Sequence, residues 1–468
     1  MEVFKMNTAG TSNHTDRRDE DRRLIYQLDG RPRLRTALPL GMQHVLAMFT
    51  SNLAPILIIA GACNLSAAQT VIMVQCAMFV SGLTTFIQLY PIKLGKNKQI
   101  GANLPIVMGT SFAFVPTAST IAATGGIGAV LGGSLLGSLT EVIMGFFYKY
   151  IRRFFPPLVV GSTLVTIGVN LLGVGVDYFA GGAGAADYGS IRNLAIGFMV
   201  LAIIVLLQRF GKGLVKNSAI LIGLVVGYVV CAFLGMVDTS TITEAGWVSL
   251  PLPLQFKLVF TPSAVLSFAA LYIVSGLETI GNTSGITIAG FDREATERET
   301  SGAILADALG STTAAFFNAL PNTAFGQNAG IVSMTKVVNK WCIATGAFVL
   351  MICGFLPKLG AVFSAIPSAV LGGAVISVFG MILINGIKMI AKAGFSERNV
   401  LVLGITFALG LGLGSHPEAV AQLPGVLRFI FSDSVAATCI VAILANLIFP
   451  MKDKEDIERA KKAMTDAD

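Results

Sequence analysis

Apolar runs of membrane-spanning length recur along the chain and are separated by short polar turns. An α-helix needs roughly 17 to 25 residues to cross a bilayer. The pattern predicts an all-α polytopic membrane protein with fourteen spans, of which the third and the tenth are short or interrupted. The predicted spans are 38–60, 68–90, 103–118, 124–147, 157–175, 194–208, 218–236, 262–288, 302–318, 323–335, 341–356, 368–387, 399–414 and 433–450.

Composition and charge support a membrane location. Of 468 residues, 54% are hydrophobic and 13% are charged, which is more apolar surface than one soluble core could bury. Lys and Arg accumulate in cytoplasmic loops. In the predicted topology, all Lys and Arg residues lie on the same side of the membrane as both termini, except Arg192, Lys257, Lys358 and Arg428. We expect a multi-pass protein of the cell membrane with cytoplasmic termini. The net charge of +7 then reflects orientation, and no nucleic-acid partner is expected.

The two ends of the chain are polar. Residues 1–36 lack the apolar stretch of a signal peptide and are expected to form a weakly ordered cytoplasmic tail, as are residues 451–468. The six cysteines are scattered without paired spacing, which favours packing roles over a disulfide framework or a metal site. The chain has no phosphate-binding Gly-x4-Gly-Lys-Ser/Thr motif, so ATP-driven pumping is not expected.

Two short motifs occur once in each half of the chain. The pattern Pro-x-x-Val-aliphatic-Gly begins at Pro156 and again at Pro367, and the pair Leu-Pro precedes both the third and the tenth span. In each case the two copies lie seven spans apart, so they run in opposite directions through the membrane. This predicts a seven-plus-seven inverted repeat, in which the two interrupted spans meet near the bilayer midplane around a binding site.

Several polar residues lie where hydrocarbon would offer them no partner. Gln327 and Asn328 are primary amides inside an apolar segment, and Glu278 shares a helix face with Asn282 one turn later. Charged groups at such depth cost on the order of 2.5 to 3.5 kcal/mol, so they usually mark function. His44, Asp307 and Lys336 are the remaining candidates.

A structural explanation of these polar residues stays open. The carboxylates of Glu278 and Asp307 would then tie helices together through Ser and Thr hydroxyls, and His44 would be a hydrogen-bonded packing residue. Lys336 would mark the cytoplasmic end of its span. We favour a binding role because the polar residues cluster on a few spans.

The run from Gln327 to Lys336 resembles the signature Gln/Glu-Asn-x-Gly-x4-Thr-Arg/Lys/Gly of the nucleobase-ascorbate transporter family, also called nucleobase:cation symporter-2. Gln43-His44 matches that family's Gln-His pair in span one, Glu278 its span-eight glutamate and Asp307 its span-nine aspartate. The resemblance extends from about residue 37 to 450 and is greatest to the bacterial xanthine/uric acid permease branch.

The resemblance implies a uracil-permease-like fold with short strands in spans three and ten. It also implies a homodimer in which a core domain moves against a gate domain. The core would comprise spans one to four at 37–147 and spans eight to eleven at 261–360. The gate would comprise spans five to seven at 148–260 and spans twelve to fourteen at 361–450.

The resemblance also assigns roles to individual residues. Glu278 and Gln327 would form paired hydrogen bonds to a purine, Phe112 would stack on its ring, and the backbone near Phe112 and Gly326 would contact it. Asn328 and Asp307 would be essential supports. The remaining positions matched to the site or the signature are Gln43, His44, Ser111, Asn282, Gly330, Thr335 and Lys336. Protonation of Glu278 and Asp307 would couple transport to a proton gradient without any cofactor.

Two sequence differences from the uracil-transporting members of the family narrow the choice of substrate. Those members carry an acidic residue at the position of Gln327 and a histidine at that of Asn282. Xanthine-selective members often have Asn at the position of Ser111 and Asp at that of Asn282, so the choice of purine stays open. The small hydroxyl of Ser111 leaves room for the C8 oxygen of urate, which favours a urate/xanthine carrier over a uracil permease.

Other classes of protein are weighed against this interpretation. A channel would need a continuous polar lining, and a membrane-embedded enzyme would need a catalytic constellation for which only Glu278 and Asp307 are candidates. An anion exchanger with a related fourteen-span fold is a nearer alternative. It would lack the Gln-Asn signature.

Overall fold

The computed structural model describes residues 23–95, 98–151 and 156–449, and shows a bundle of apolar helices with four short strands. The predicted C-terminal tail and most of the N-terminal tail lie outside the described residues. The elements of the first half are α1 Leu34–Ala62, α2 Ala67–Leu89, β1 Ile92–Leu94, β2 Lys98–Ile100, β3 Met108–Thr110, a 3₁₀ turn Phe112–Phe114, α3 Val115–Gly137, α4 Leu139–Ile151, α5 Pro157–Phe179, α6 Ile191–Phe210, α7 Gly213–Asn217, α8 Ala219–Phe233 and α9 Ser240–Glu244.

The second half of the chain repeats this helical character. Its elements are α10 Pro262–Phe291, α11 Glu297–Phe316, β4 Asn322–Ala324, α12 Gly326–Thr335, α13 Lys340–Cys353, α14 Pro357–Ser364, α15 Ser368–Ala393, α16 Glu397–Ser415, a 3₁₀ turn Pro417–Val420, α17 Gly425–Ser432 and α18 Ser434–Ile448. The prediction of an essentially helical membrane protein is confirmed. Proline begins α5, α10 and α14, where its missing N–H has no helical partner to lose.

Eight helices of the described residues are long and apolar enough to span a membrane, or nine if the bent pair α13 and α14 forms one span. The helices α8 and α18 are apolar but shorter. A single stretch of 39 residues, Phe112–Tyr150, covers parts of the predicted third and fourth spans, because α3 continues through Gly126 at φ 65°. Glycine adopts this left-handed conformation readily, so the chain bends there. Fourteen spans remain a prediction.

Helix packing brings distant parts of the sequence together. Helices of the first half pack on helices of the second half: α1 and α2 pack on α13, α3 packs on α10, and α4 packs on α11. The helices α5 and α6 pack on α15, and α16 packs on α18. A Cβ atom at Gly161 of α5 would lie 2.9 Å from the carbonyl oxygen of Gly386 in α15. The two backbones therefore approach closely, as small residues permit between membrane helices.

The motifs that predicted an inverted repeat have matching local structures. Pro156 and Pro367 precede α5 and α15, both as extended residues at the helix start. The Leu-Pro pairs precede β3 and β4, which pair antiparallel with Met108 opposite Ala324 and Thr110 opposite Asn322. The short strands expected in the third and tenth segments are present. The inverted repeat itself stays a prediction.

Residues 24–30 are held in place more firmly than the expectation of a weakly ordered tail allowed. The side-chain amide of Asn339 donates to the carbonyl oxygens of Leu24, Gln27 and Gly30 at 3.0, 2.7 and 2.8 Å. The buried ammonium of Lys340 pairs with Asp29 at 2.5 Å. Because both anchors lie about 310 positions away in the sequence, composition alone could not indicate this docking, and the expectation was wrong for this segment.

Candidate functional site

The antiparallel pair of β3 and β4 lies at the centre of the site, and all of its residues are buried. A strand of three residues leaves many backbone groups without a partner, and in an apolar bundle each must be satisfied internally. Side chains of α1 and α2 supply the partners. Asn52 accepts from the N–H of Thr110 at 2.7 Å, and Thr85 accepts from the N–H of Met108 at 2.9 Å.

Each strand leads directly into a helical segment. After β3, the hydroxyl of Ser111 accepts from the N–H of Ala113 at 3.2 Å and so begins the 3₁₀ turn. After β4, Phe325 is extended and α12 begins without a side-chain cap. The first N–H groups of α12 are therefore left without a side-chain partner, and the end of a helix that carries free N–H groups attracts negative charge.

The adjacent amides of α12 have opposite environments. Asn328 is 4% exposed; its side-chain oxygen pairs with Nδ1 of His44 and its nitrogen donates to the carbonyl of Pro105. Since the amide nitrogen is committed as a donor, the oxygen must accept, and Nδ1 of His44 must carry the proton. Gln327 is exposed and makes no hydrogen bond to any described residue. Asn328 therefore joins α1, α12 and the approach to β3, while Gln327 faces open space.

Glu278 and Asn282 lie one turn apart on α10, which packs on β4 and α12. The side chain of Asn282 donates to the carbonyl of Ala324 at 2.9 Å and is partly exposed. Its oxygen lies 2.8 Å from where a Cβ atom at Gly326 would be placed, so a larger residue there would displace the Asn282 side chain. Glu278 is also partly exposed, and its carboxyl group makes no hydrogen bond to any described residue.

Asp307 has the opposite character to Glu278. It is 0% exposed and accepts from the hydroxyl of Thr279, from the amide of Gln88 at 3.2 Å and from the N–H of Ala324 at 3.3 Å. These contacts join α2, α10, α11 and β4. In this conformation Asp307 holds the site together and does not reach open space.

Ser111 and Phe112 directly follow β3. The ring of Phe112 is buried and packs edge-on against Phe379 of α15, with 5.2 Å between ring centroids. Ser111 donates its N–H to the carbonyl of Pro321 at 3.1 Å. Gln43, next to His44 on α1, is buried.

The last part of the signature shapes the end of α12. The hydroxyl of Thr335 donates to the carbonyl of Ile331 at 2.9 Å. Lys336 ends the helix in the left-handed conformation and donates from Nζ to the carbonyl of Ala289 at 2.6 Å, which ties α12 to α10. A Cβ atom at Gly330 would have no neighbour within 4 Å.

The structure also shows polar residues that the sequence analysis did not single out. Asn322 of β4 accepts from Thr84 at 2.6 Å and donates to Ser81 at 2.9 Å. The residues Ser81, Thr84, Thr85 and Gln88 lie at helical spacing on one face of α2. That spacing could have indicated a polar helix face that contacts the site. It was not used because hydroxyls in apolar helices usually bond to their own backbone. Glu141 of α4, which is also buried, was overlooked because it stands alone in its span.

A polar centre built from two interrupted segments inside a bundle of apolar helices is the architecture of a membrane transport protein. The sequence profile of the Permease family (Xan_ur_permease) matches residues 35–419. The chain belongs to this nucleobase:cation symporter-2 family, whose members are permeases and not enzymes. The resemblance stated from the signature residues is confirmed, and the protein is a multi-pass membrane protein.

Curated relatives are similar over nearly their whole length. The xanthine permease of Bacillus subtilis is 34% identical over 92% of this chain and 96% of its own. The uric acid permease PucK of Bacillus subtilis is 34% identical over 88% of this chain and 95% of its own.

A solved structure with low sequence identity supports the fold. The murine Solute Carrier 26 family member A9, an anion transporter in the inward-facing state, matches with a TM-score of 0.63 at 12% identity. The match covers 96% of this chain and 73% of that chain. At this identity the likeness concerns the fold alone.

Proposed function

We propose that the protein is a proton-coupled symporter that imports purine nucleobases, uric acid and xanthine, through an elevator-type movement of the core domain against the gate domain. The observation that carries the proposal is the presence of one uncommitted polar group on each of two helices that pack together, α10 and α12. Gln327 and Glu278 have no hydrogen bond to a described residue, while the neighbouring Asn328 and Asp307 are fully engaged.

The chemistry of these two groups suits an oxidised purine. A glutamine amide offers one donor group and one acceptor, and a carboxylate accepts from N–H groups. Xanthine and urate present alternating N–H and C=O groups along their edges, so both residues can bind one ring. The relatives named as xanthine and uric acid permeases support this substrate class.

Ser111 and Phe112 would complete the pocket. Phe112 is edge-on to Phe379 in the present conformation, and a modest rotation of its ring would allow it to stack on a bound purine. The hydroxyl of Ser111 occupies less space than the amide of an asparagine, which leaves room for the additional oxygen of urate. Gly326 keeps the start of α12 open to the ligand.

The movement of core against gate rests on how the helices are grouped. The helices α5, α6 and α15 pack on one another, as do α1, α2 and α13. These groups correspond to the predicted gate domain at 148–260 and 361–450 and the predicted core domain at 37–147 and 261–360. A homodimer with cytoplasmic termini completes the proposal.

The proposal is tested by uptake of radiolabelled xanthine and urate into proteoliposomes that contain the purified protein. An imposed proton gradient is expected to drive accumulation of both purines above equilibrium, and a protonophore is expected to abolish it. Accumulation that needs sodium and persists with the protonophore would show that the coupling ion is wrong. Absence of any purine uptake would overturn the function itself.

A variant of Glu278 tests the binding role. Glu278→Gln keeps the shape of the side chain but removes the charged acceptor, and a hydrogen bond to a charged group is worth about 1.5 to 3 kcal/mol. Xanthine uptake should fall about 10- to 100-fold. The matched control, Glu244→Gln, changes an exposed carboxyl group of α9 outside the site and should leave uptake unchanged. Equal activity of both variants would remove Glu278 from the binding site.

A further inference from the structure

Glu141 is a buried carboxyl group with no described function. It lies in the first turn of α4 and is 0% exposed. Neither of its carboxyl oxygens has a hydrogen-bond partner among the described residues. It packs closely on α10, since a Cβ atom at Gly276 would lie 3.8 Å from its Cγ.

Among the described residues, the polar surroundings of Glu141 contain another acid and no cation. Asp307 of α11 is close enough for its charge to repel that of Glu141, Ser275 of α10 faces the carboxyl group, and Tyr272 of α10 also interacts with it electrostatically. The hydroxyl of Tyr272 is already paired with Ser134 at 2.7 Å. Within the described part of the chain, no Lys, Arg or His forms an ion pair with Glu141.

A purely structural explanation of Glu141 is unsatisfactory. A buried polar group that lacks a partner costs about 1 to 3 kcal/mol, and a charged one costs more. Hydrophobic residues would pack at the same place without this penalty. Two carboxyl groups that repel each other cannot both be ionised in such surroundings, so at least one proton must be shared or held between Glu141 and Asp307.

We infer that Glu141 is a second proton-carrying residue of the transporter, which takes up and releases the coupled proton together with Asp307. Asp307 has donors from three elements that can stabilise its negative charge, whereas Glu141 faces only the hydroxyl of Ser275 among the described residues, so in this proposal Glu141 carries the proton in the conformation seen here. Movement of the core domain against the gate domain would carry Glu141 toward the other side of the membrane, where that proton would be released. This inference rests on the proposed proton coupling and adds a residue to it.

Two transport assays on the same proteoliposomes separate coupling from binding. Counterflow measures exchange of labelled for unlabelled xanthine without a gradient, and accumulation measures uptake that a proton gradient drives. Glu141→Gln mimics the permanently protonated acid, so counterflow should stay within about twofold of wild type while accumulation falls at least about tenfold. Glu141→Asp keeps an ionisable group and should restore much of the accumulation. Glu244→Gln is the control.

The outcomes distinguish the possible roles. Wild-type accumulation by Glu141→Gln would show that the group is permanently neutral and would overturn the inference. Equal loss of counterflow and accumulation in both Glu141 variants would also overturn it, because the residue would then be needed only for structure. If the wild-type protein itself shows no proton-driven accumulation, the proposed coupling fails before any variant is compared.

A second measurement uses the wild-type protein and does not depend on the folding of a variant. Dicyclohexylcarbodiimide modifies protonated carboxyl groups in apolar surroundings, and mass spectrometry of peptides can locate the modification. We expect labelling of Glu141 to decrease as the pH of the proteoliposome suspension is raised and to change when xanthine is added. Labelling that is absent, or that is independent of both pH and xanthine, would contradict proton exchange at Glu141.

Discussion

The two interrupted segments of the chain have the same order of elements but contribute different chemistry. The segment with β3 is buried throughout and continues into an aromatic turn at Phe112. The segment with β4 continues into α12, whose first residues Gly326 and Gln327 are exposed. In the proposed function, the first segment would therefore supply a buried surface and an aromatic ring, and the second would supply the polar groups that contact the purine. Pairing of the strands keeps the two at a fixed distance.

This difference separates residues that bind from residues that support. Gln327 and Asn328 are neighbours in sequence, but a helix turns by about 100° per residue, so they face different surroundings. Asn328 holds the two segments together through Pro105 and His44. Gln327 is free to meet a substrate. The following variants examine this division of roles, in order of decreasing expected effect.

Removal of the Asn328 amide should have the largest effect. Asn328→Ala leaves the buried His44 and the Pro105 carbonyl without partners, at a cost of about 1 to 3 kcal/mol for each group. Xanthine uptake should fall at least about a hundredfold although the protein still inserts into the membrane. Uptake assays combined with immunodetection of the inserted protein measure this, and wild-type uptake would show that the link between the segments is dispensable.

Crowding of the strand pair should reduce stability. A Cβ atom at Gly109 would lie 2.5 Å from the ring of Phe325 and 2.7 Å from Cε of Met48. Gly109→Ala should therefore lower the free energy of unfolding by about 1 to 3 kcal/mol, as overpacked cores do, and should reduce the melting temperature. The control is Gly404→Ala, which lies on an exposed face of α16 with no neighbour within 4 Å. Equal melting temperatures would contradict the close packing of β3.

A smaller change at the start of α12 should affect affinity more than stability. Gly326→Ala would displace the side chain of Asn282 and loosen its hydrogen bond to Ala324. A lost bond of about 1 kcal/mol corresponds to a rise in KM for xanthine of roughly fivefold. Gly285→Ala is the control because its Cβ atom would meet Ala329 at an ordinary 3.4 Å. An unchanged KM would exclude the Asn282 contact from ligand binding.

The smallest effect is expected at Gly330. Its Cβ atom would have no neighbour within 4 Å, and replacing glycine by alanine inside a helix favours the helix by about 0.5 to 1 kcal/mol. Gly330→Ala should raise the melting temperature slightly and leave xanthine uptake within about twofold of wild type. Strong loss of uptake with normal stability would instead mean that the signature glycine provides space for the substrate or for the proposed movement of the core domain.

Local residue types predicted much of the central architecture. Prolines and glycines in two apolar segments indicated interrupted spans, and the structure has a strand in each. The spacing of Glu278 and Asn282 placed them on one face of α10, where both are partly exposed. These features depend on neighbouring residues, which the sequence displays directly.

Long-range partners could not be predicted in the same way. The bond from Gln88 to Asp307 joins residues 219 positions apart, and the one from Asn339 to Gly30 joins residues 309 apart. The sequence around Gln88 or Asn339 does not indicate which distant residue it will bond to. Glu141 was missed because the role of a single acid in an apolar span depends on the residues of the helices that pack against it, which the sequence does not show. The position of the bend at Gly126 likewise depends on one backbone conformation.

The most direct test of the central claim is a structure of the protein determined with bound xanthine. The account predicts the purine between Phe112 and Gln327, with the carboxyl group of Glu278 within hydrogen-bonding distance. A second location is available in the cavity of about 310 Å³ that Ser119, Thr120 and Asp433 help to line. Xanthine found in that cavity, with the space beside Gln327 empty, would contradict a binding site made by the two interrupted segments.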